Sequence, residues 1–323
     1  MTHDHDHGHG DNHGHSDDHG HSHGHSHHHH TPTNFGRAFA LTTALNLGLV
    51  VVQIGYGLAA HSVALLADAG HNFGDAIGLI LAWIAHTLAR VRTSDRFTYG
   101  FRSASILSAF ANAVLLLVAT GAIAWEAVRR FSDPPEVAGT TVMIVAAAGI
   151  VINGLSAWIL MAGQKDDINI RGAFLHLLAD AGVSVAVVIG GAAIVMTGWN
   201  WIDPAISLAI AVVIVWSTWG LLRESFELSM QAVPKGILLA DVRKHLEGLP
   251  GITGVHDLHV WAMSTTENAL TAHLVAPSGH PGDGFLSTLS RDLDQRFKIH
   301  HATVQIEIGD RSVVCVLEPA DRV

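Results

Sequence analysis

Cysteine is almost missing from this 323-residue chain, where Cys315 stands alone. One thiol excludes a disulfide framework and any zinc cluster built from cysteine only. Charge is scarce too. Charged residues make up 14%, against about 25% in an average soluble domain, too few to clothe a water-facing surface throughout. The positive sign is the scarcer one. With 18 Lys and Arg against 28 Asp and Glu, the formal net charge is −10, which argues against the basic face that nucleic-acid binding requires. No H-E-x-x-H motif occurs, so the usual zinc-peptidase signature is absent. Length by itself suggests about two domains.

Histidine, apolar length and their placement are what the chain does have. Of its 25 histidines, 14 fall in the first 30 residues, alongside five Asp and no Lys or Arg. Residues 1–34 have too few apolar side chains to offset the entropy of folding and read as a disordered tail. The tail lacks the basic start and apolar core of a secretory signal. Neutral imidazoles capture borderline metals, and the run His27, His28, His29 and His30 is the densest candidate for such capture.

From Phe35 to about residue 226 the chain reads as membrane. Residues 103–125, 137–164 and 204–222 contain neither a charged residue nor histidine, and residues 38–60, 63–89 and 172–198 are nearly as apolar. Each block has about the 20 residues that cross a bilayer as a helix. Six spans put both termini on one side. The second and fourth loops hold Arg90, Arg92, Arg96, Arg102, Lys165 and Arg171, whereas the odd loops hold only Arg129 and Arg130. Positive loops stay in the cytoplasm, so both termini are expected inside a cell (inner) membrane. Trp199 and Trp201 suit the opposite interface.

Residues 227–318 regain soluble character, with residues 319–323 as a short tail. Helical periodicity at 238–248 and 285–298 alternates with strand-like runs at 255–263, 268–276 and 302–308, and 313–317 is a possible last strand. The order predicts one small α+β domain. The fold class is thus an all-α six-helix membrane bundle followed by a small α+β domain.

Ionisable residues inside the spans carry the functional reading, because each costs at least about 2.5 kcal/mol to place in hydrocarbon. Span two contains Asp68, His71 and Asp75, and span five contains His176 and Asp180. In both, His precedes Asp by four, which puts the two side chains on one helix face a turn apart. Such a pair also suits a hydrogen-bonded contact between packed helices. Two copies within lipid-spanning segments favour convergence of two imidazoles and two carboxylates, a tetrahedral set for Zn²⁺. Asp68 reads either as an acceptor that orients an imidazole or as a purely structural group. Asn46 and Gln53 read as interhelical hydrogen-bond formers, with Asn46 also a possible support behind the ligands. His86 is expected at the interface and Glu126 within reach of water. Gly70, Gly74 and Gly78 give the spacing that allows close helix approach.

The segments SVALLADAGHNFGD (62–75), RFTYGFRSASILSAFANA (96–113), the pair His176/Asp180 and HDLHVWAM (256–263) together resemble the cation diffusion facilitator family of zinc-type metal/proton antiporters. The resemblance runs from about Phe35 to Cys315. It implies a homodimer of six-helix subunits with a ferredoxin-like cytoplasmic domain, and His71, Asp75, His176 and Asp180 as the transport site. Histidine in span two resembles the zinc-preferring branch. His256 and His273 match positions that bind zinc in relatives, often as part of a two-metal arrangement, and Glu307 stands where a further ligand is expected. Zn²⁺ is then both substrate and regulatory ligand. On a regular strand, His259 would point away from His256. Cys315 reads as a small buried residue. The loop-borne site of some relatives is not expected, since the loop between spans two and three offers Asp95 and no His.

The function implied is proton-coupled efflux of Zn²⁺, with Cd²⁺, Co²⁺ or Ni²⁺ as further substrates. Its partners are metal ions, protons and lipid, and it would not be an enzyme. Alternatives are a membrane metal sensor that does not transport and a proton-coupled carrier of another substrate.

Overall fold

The computed structural model describes residues 33–161 and 168–310 together with Ser312, Cys315 and Leu317, and excludes the side chains of residues 33–40 and 168–173. The tail histidines His27, His28, His29 and His30, Lys165 and most of the run 313–317 lie outside the described residues.

Six long helices come first: α1 (Thr33–Ala59), α2 (Val63–Ala89), α3 (Ala104–Ser132), α4 (Gly139–Leu160), α5 (Ile168–Thr197) and α6 (Ile202–Ser229). All six contain stretches long and apolar enough to cross a membrane. Large apolar side chains such as Trp83, Trp125, Trp158, Met196 and Trp216 are exposed, as a hydrocarbon surround allows. Trp199 and Trp201 stack at the α5–α6 turn.

Helix α2 packs against α1, α3, α5 and α6, while α4 lies against α1 and α5. Its glycines explain how it fits there. A Cβ on Gly70, Gly74 or Gly78 would fall 2.7–3.0 Å from Ile123, Leu116 or Asn112 of α3, so the stripe serves close approach to α3. The adjacent stripe, with His71 and Asp75, is left for α5. Helices α4 and α5 also pack closely, since a Cβ on Gly191 would lie 3.0 Å from the Gly139 carbonyl oxygen.

One end of the bundle is tied shut. Ser62 caps α2 by accepting from Leu65 N at 3.1 Å, as a serine N-cap does. Its Oγ donates to Asp203 Oδ1 at 2.5 Å, and Val63 N donates to Asp203 Oδ2 at 2.7 Å. Asp203 precedes Pro204 in the first turn of α6, where proline is tolerated. At the same end Val137 N donates to Asn200 Oδ1. Glu126 pairs with Arg129 and Arg130 of its own helix.

The small domain follows with α7 (Leu239–Glu247), β1 (Gly254–Ala262), β2 (Asn268–Val275), α8 (Asp283–Phe297) and β3 (Ile299–Glu307). β2 is central, antiparallel to β1 and parallel to β3. Val242 and Leu246 of α7 and Leu289 and Leu293 of α8 pack with Leu258, Val260, Leu270, Ala272 and Leu274. Both helices therefore cover one face of the sheet, and alternate strand residues project from the other.

Replacing Asp203 by Ala leaves the Ser62 hydroxyl and the Val63 N–H without their buried acceptor. The expected cost is about 2 kcal/mol, seen as a lower melting temperature of the detergent-solubilised protein. An unchanged melting point would show that the closed end does not depend on this carboxylate.

Candidate metal centre

The i,i+4 pairs of α2 and α5 face each other. His176 Nε2 lies 3.1 Å from Asp75 Oδ2 and 3.5 Å from Asp180 Oδ2, and His71 Nε2 lies 3.6 Å from Asp75 Oδ2 and 3.5 Å from Asp180 Oδ1. The two rings meet edge to face with centroids 5.8 Å apart. A tetrahedron of ligands with bonds of about 2.0–2.1 Å has edges of about 3.3–3.4 Å. The four His–Asp separations are close to such edges, and donor atoms of His71, His176 and Asp180 all lie within 4.8 Å of one another, so these three converge and Asp75 borders them through its approach to both imidazoles.

Burial is graded across the four. Asp180 and His71 are 4% and 15% exposed, Asp75 and His176 30% and 45%. The exposed pair borders a cavity of about 880 Å³ that reaches from Asn46, Asn72, Asp75, His176 and Asp180 to residues 264–267 of the small domain. The set thus opens toward the small domain and away from the Ser62–Asp203 end.

Asp68 sits behind the four. It is fully buried and accepts from Gln53 Nε2 of α1 at 2.5 Å, Ser184 Oγ of α5 at 3.2 Å and Asn72 Nδ2 at 3.4 Å. Of the two roles open for Asp68, orienting an imidazole or a structural contact, its hydrogen bonds are of the second kind. The buried His71 Nδ1 has no hydrogen-bond partner among the described residues, and the Asp68 oxygens serve three polar neutral side chains. Asp68 instead joins α1, α2 and α5 directly behind the donors. Gln53 makes the interhelical bond expected of it. Asn46 instead donates to the Thr42 carbonyl of its own helix, at 2.9 Å, and lines the cavity.

A second cluster lies on the helix-free face of the small domain. His256 pairs with His273 across β1 and β2, and Val275 pairs with Glu307 across β2 and β3. This register brings His273 Nδ1 to 3.1 Å from Glu307 Oε1, and His256 Nε2 to 3.3 Å from Glu307 Oε2. Cys315 Sγ lies 3.6 Å from His273 Nδ1. One donor atom from each of these four residues falls within 4.8 Å of all the others. Burial pushes the Glu307 carboxyl up. Bonds from Gln305 and Cys315 and the two imidazoles outweigh it, and the net shift is below the ordinary value.

His259 departs from the regular-strand expectation. Between His256 and His259 the register with β2 slips. Three steps along β1 there match two along β2, from His273 to Thr271, so both histidines share the face of His273. Asp257, at φ 48°, absorbs the extra residue. Its carboxylate lies 2.9 Å from His259 Nε2 and 3.4 Å from His273 Nε2. Neither Asp257 nor Cys315 was singled out as a site residue from the sequence. Asp257 escapes a parity argument because the bulge is invisible in spacing, and Cys315 lies beyond the last strand, with only its being the single thiol to mark it.

The family models agree with this division. The cation efflux transmembrane domain matches residues 40–228, and the cation efflux protein cytoplasmic domain matches residues 234–308. The chain belongs to the cation efflux family. This cation efflux protein is 38% identical over 273 residues to the zinc transporter ZitB of Yersinia pestis, covering 84% of this chain and 86% of that one. It is 34% identical over 277 residues to the cadmium, cobalt and zinc/H(+)-K(+) antiporter of Bacillus subtilis, covering 83% and 89%. The metal cation efflux system protein CzcD of Cupriavidus metallidurans is likewise 34% identical over 274 residues, covering 84% and 87%.

Equilibrium dialysis of the full-length protein against Zn²⁺ is expected to show separable classes of binding. Asp180→Ala should weaken one class at least about tenfold and leave the small-domain class intact, and His273→Ala should do the reverse. Loss of both classes in either variant would mean the clusters do not bind independently.

Proposed function

We propose that this protein carries Zn²⁺ out of the cytoplasm in exchange for protons, binding the ion between α2 and α5 through His71, Asp75, His176 and Asp180. The observation that carries the reading is that each of the two imidazoles lies 3.1–3.6 Å from both carboxylates at the inner end of a cavity bordered by the small domain. Two imidazoles and two carboxylates suit zinc, and with no thiolate among them they disfavour Cu(I). Cd²⁺ and Co²⁺, both named for the Bacillus subtilis relative, and Ni²⁺ are further substrates of the same donor set.

Zinc requires neutral imidazole and ionised carboxylate, so its binding releases protons and its affinity falls as the pH is lowered. Histidine, which ordinarily titrates near 6.5, makes this exchange responsive in the physiological range. The ion arrives through the cavity while the Ser62–Asp203 end is shut, displaces protons from His71 or His176, and leaves on the far side when protons return to the rings. Rocking of packed helices exposes the one site alternately to the two sides. The excess of Lys and Arg in the even-numbered loops supports a cell-membrane orientation with those loops and both termini on the cytoplasmic side.

The working unit is a homodimer, in keeping with the matched small-domain model, which is named for dimer formation. Zinc held by His256, His273 and Glu307 acts as a regulatory ligand by favouring one arrangement of the small domain over another. The histidines at 27–30 capture metal.

The test uses proteoliposomes with a zinc-sensitive dye inside and an imposed pH step. Flux is expected in the intact protein and after deletion of residues 1–30, and not in Asp75→Ala or Asp180→Ala. Undiminished flux in both variants would refute the assigned site. His71→Asp should increase competition by Mn²⁺, because an additional carboxylate hardens the donor set.

A further inference from the structure

The cavity that ends at the four donors is lined at its other end by Arg102, Ser105 and the β1–β2 turn, Ser264–Glu267. A piece of the small domain therefore sits in the mouth of the membrane cavity. Three polar contacts seat it there. Arg102 Nη1 forms an ion pair with Glu267 Oε2, Ser103 Oγ donates to the Met263 carbonyl at 3.2 Å, and Thr265 N donates to Ser105 Oγ at 3.1 Å.

The turn is internally stiff. The hydroxyl of Ser264 accepts from Thr266 N and Glu267 N, and the Glu267 carbonyl accepts from Met263 N at 2.8 Å. It therefore moves as a unit, and its seating rests on the three contacts to residues 102–105. The Arg102–Glu267 pair is part-exposed, at 43% and 36%, and such a pair is weak and screened by salt. A weak latch on a stiff element can open and close within a transport cycle.

We propose that the β1–β2 turn controls metal access to the membrane cavity, with Arg102 and Glu267 as the positioning residues that set its resting place. This rests on the transport reading above. The two strands give the turn a second attachment. His256 and His273 are paired near one end of β1 and β2, and Ala262 pairs with Asn268 at the turn end, six residues and about 20 Å along. A change at the histidine cluster therefore reaches the mouth through two hydrogen-bonded strands.

The test reads access separately from transport. Ser108 lines the cavity, and Ser108→Cys is labelled with a membrane-impermeant maleimide in vesicles whose small domain faces outward. The protein with Cys315 alone supplies the background. Arg102→Gln and Glu267→Gln are expected to speed labelling several-fold, and the exchange Arg102→Glu with Glu267→Arg to return it near the starting rate. High salt should speed labelling in the unaltered pair and have little effect in Glu267→Gln. Equal rates throughout would overturn the control of access by the turn, and fast labelling that the exchange does not reverse would overturn the role of the pair. Zinc flux is measured in the same vesicles. Labelling that responds as expected while the unaltered protein, reconstituted in parallel, carries no zinc would sink the transport reading and leave the access control standing.

Discussion

Four ionisable side chains inside hydrocarbon have to satisfy one another, and the rest of this structure is arranged to let them. His71 and Asp75 on α2 and His176 and Asp180 on α5 supply mutual partners that lipid does not. The meeting needs α2 to present one face to α3 and the neighbouring face to α5. The glycine stripe achieves the first by removing side chains where α3 comes close. The network of Gln53, Asp68 and Ser184 holds the second from behind by tying α1, α2 and α5 to one buried carboxylate.

The graded burial of the four donors follows from the same arrangement. Asp180 is packed deep while His176 faces the cavity, so an ion meets an accessible imidazole before the enclosed carboxylate. The cavity is bordered by the small domain, which gives that part of the chain a direct physical connection to the membrane cluster. A soluble domain that merely hung below the bundle would not place Thr265 and Glu267 in that lining.

Much of this was legible from residue order. Apolar length located the six spans, with ends up to about seven residues from those of the helices, as at α3 and α6. The two His-x-x-x-Asp pairs named the cluster, because helix geometry makes i,i+4 neighbours whatever the surroundings. The strand and helix order of the small domain followed from alternation, and the cross-strand set of His256, His273 and Glu307 followed from the resemblance rather than from any local signal. Three features were not legible. Ser62 with Asp203 and Arg102 with Glu267 join residues far apart in the chain, and pairing at that range leaves no periodic trace. The extra residue in β1 reverses the parity on which the expectation for His259 depended. Asp68 was visible as a buried charge, but its partners lie on two other helices and could not be chosen between.

The clasp of Asp203 on the first turn of α2 has a mechanical consequence. Water reaching His71 from the shut side requires either that the bonds from Ser62 and Val63 be stripped from a buried carboxylate or that α6 swing along with α2. Separation leaves an anion bare among apolar neighbours, whereas joint travel preserves every bond of the cap. A displacement of α2 that keeps this clasp therefore carries α6 with it, together with α3, which packs against both.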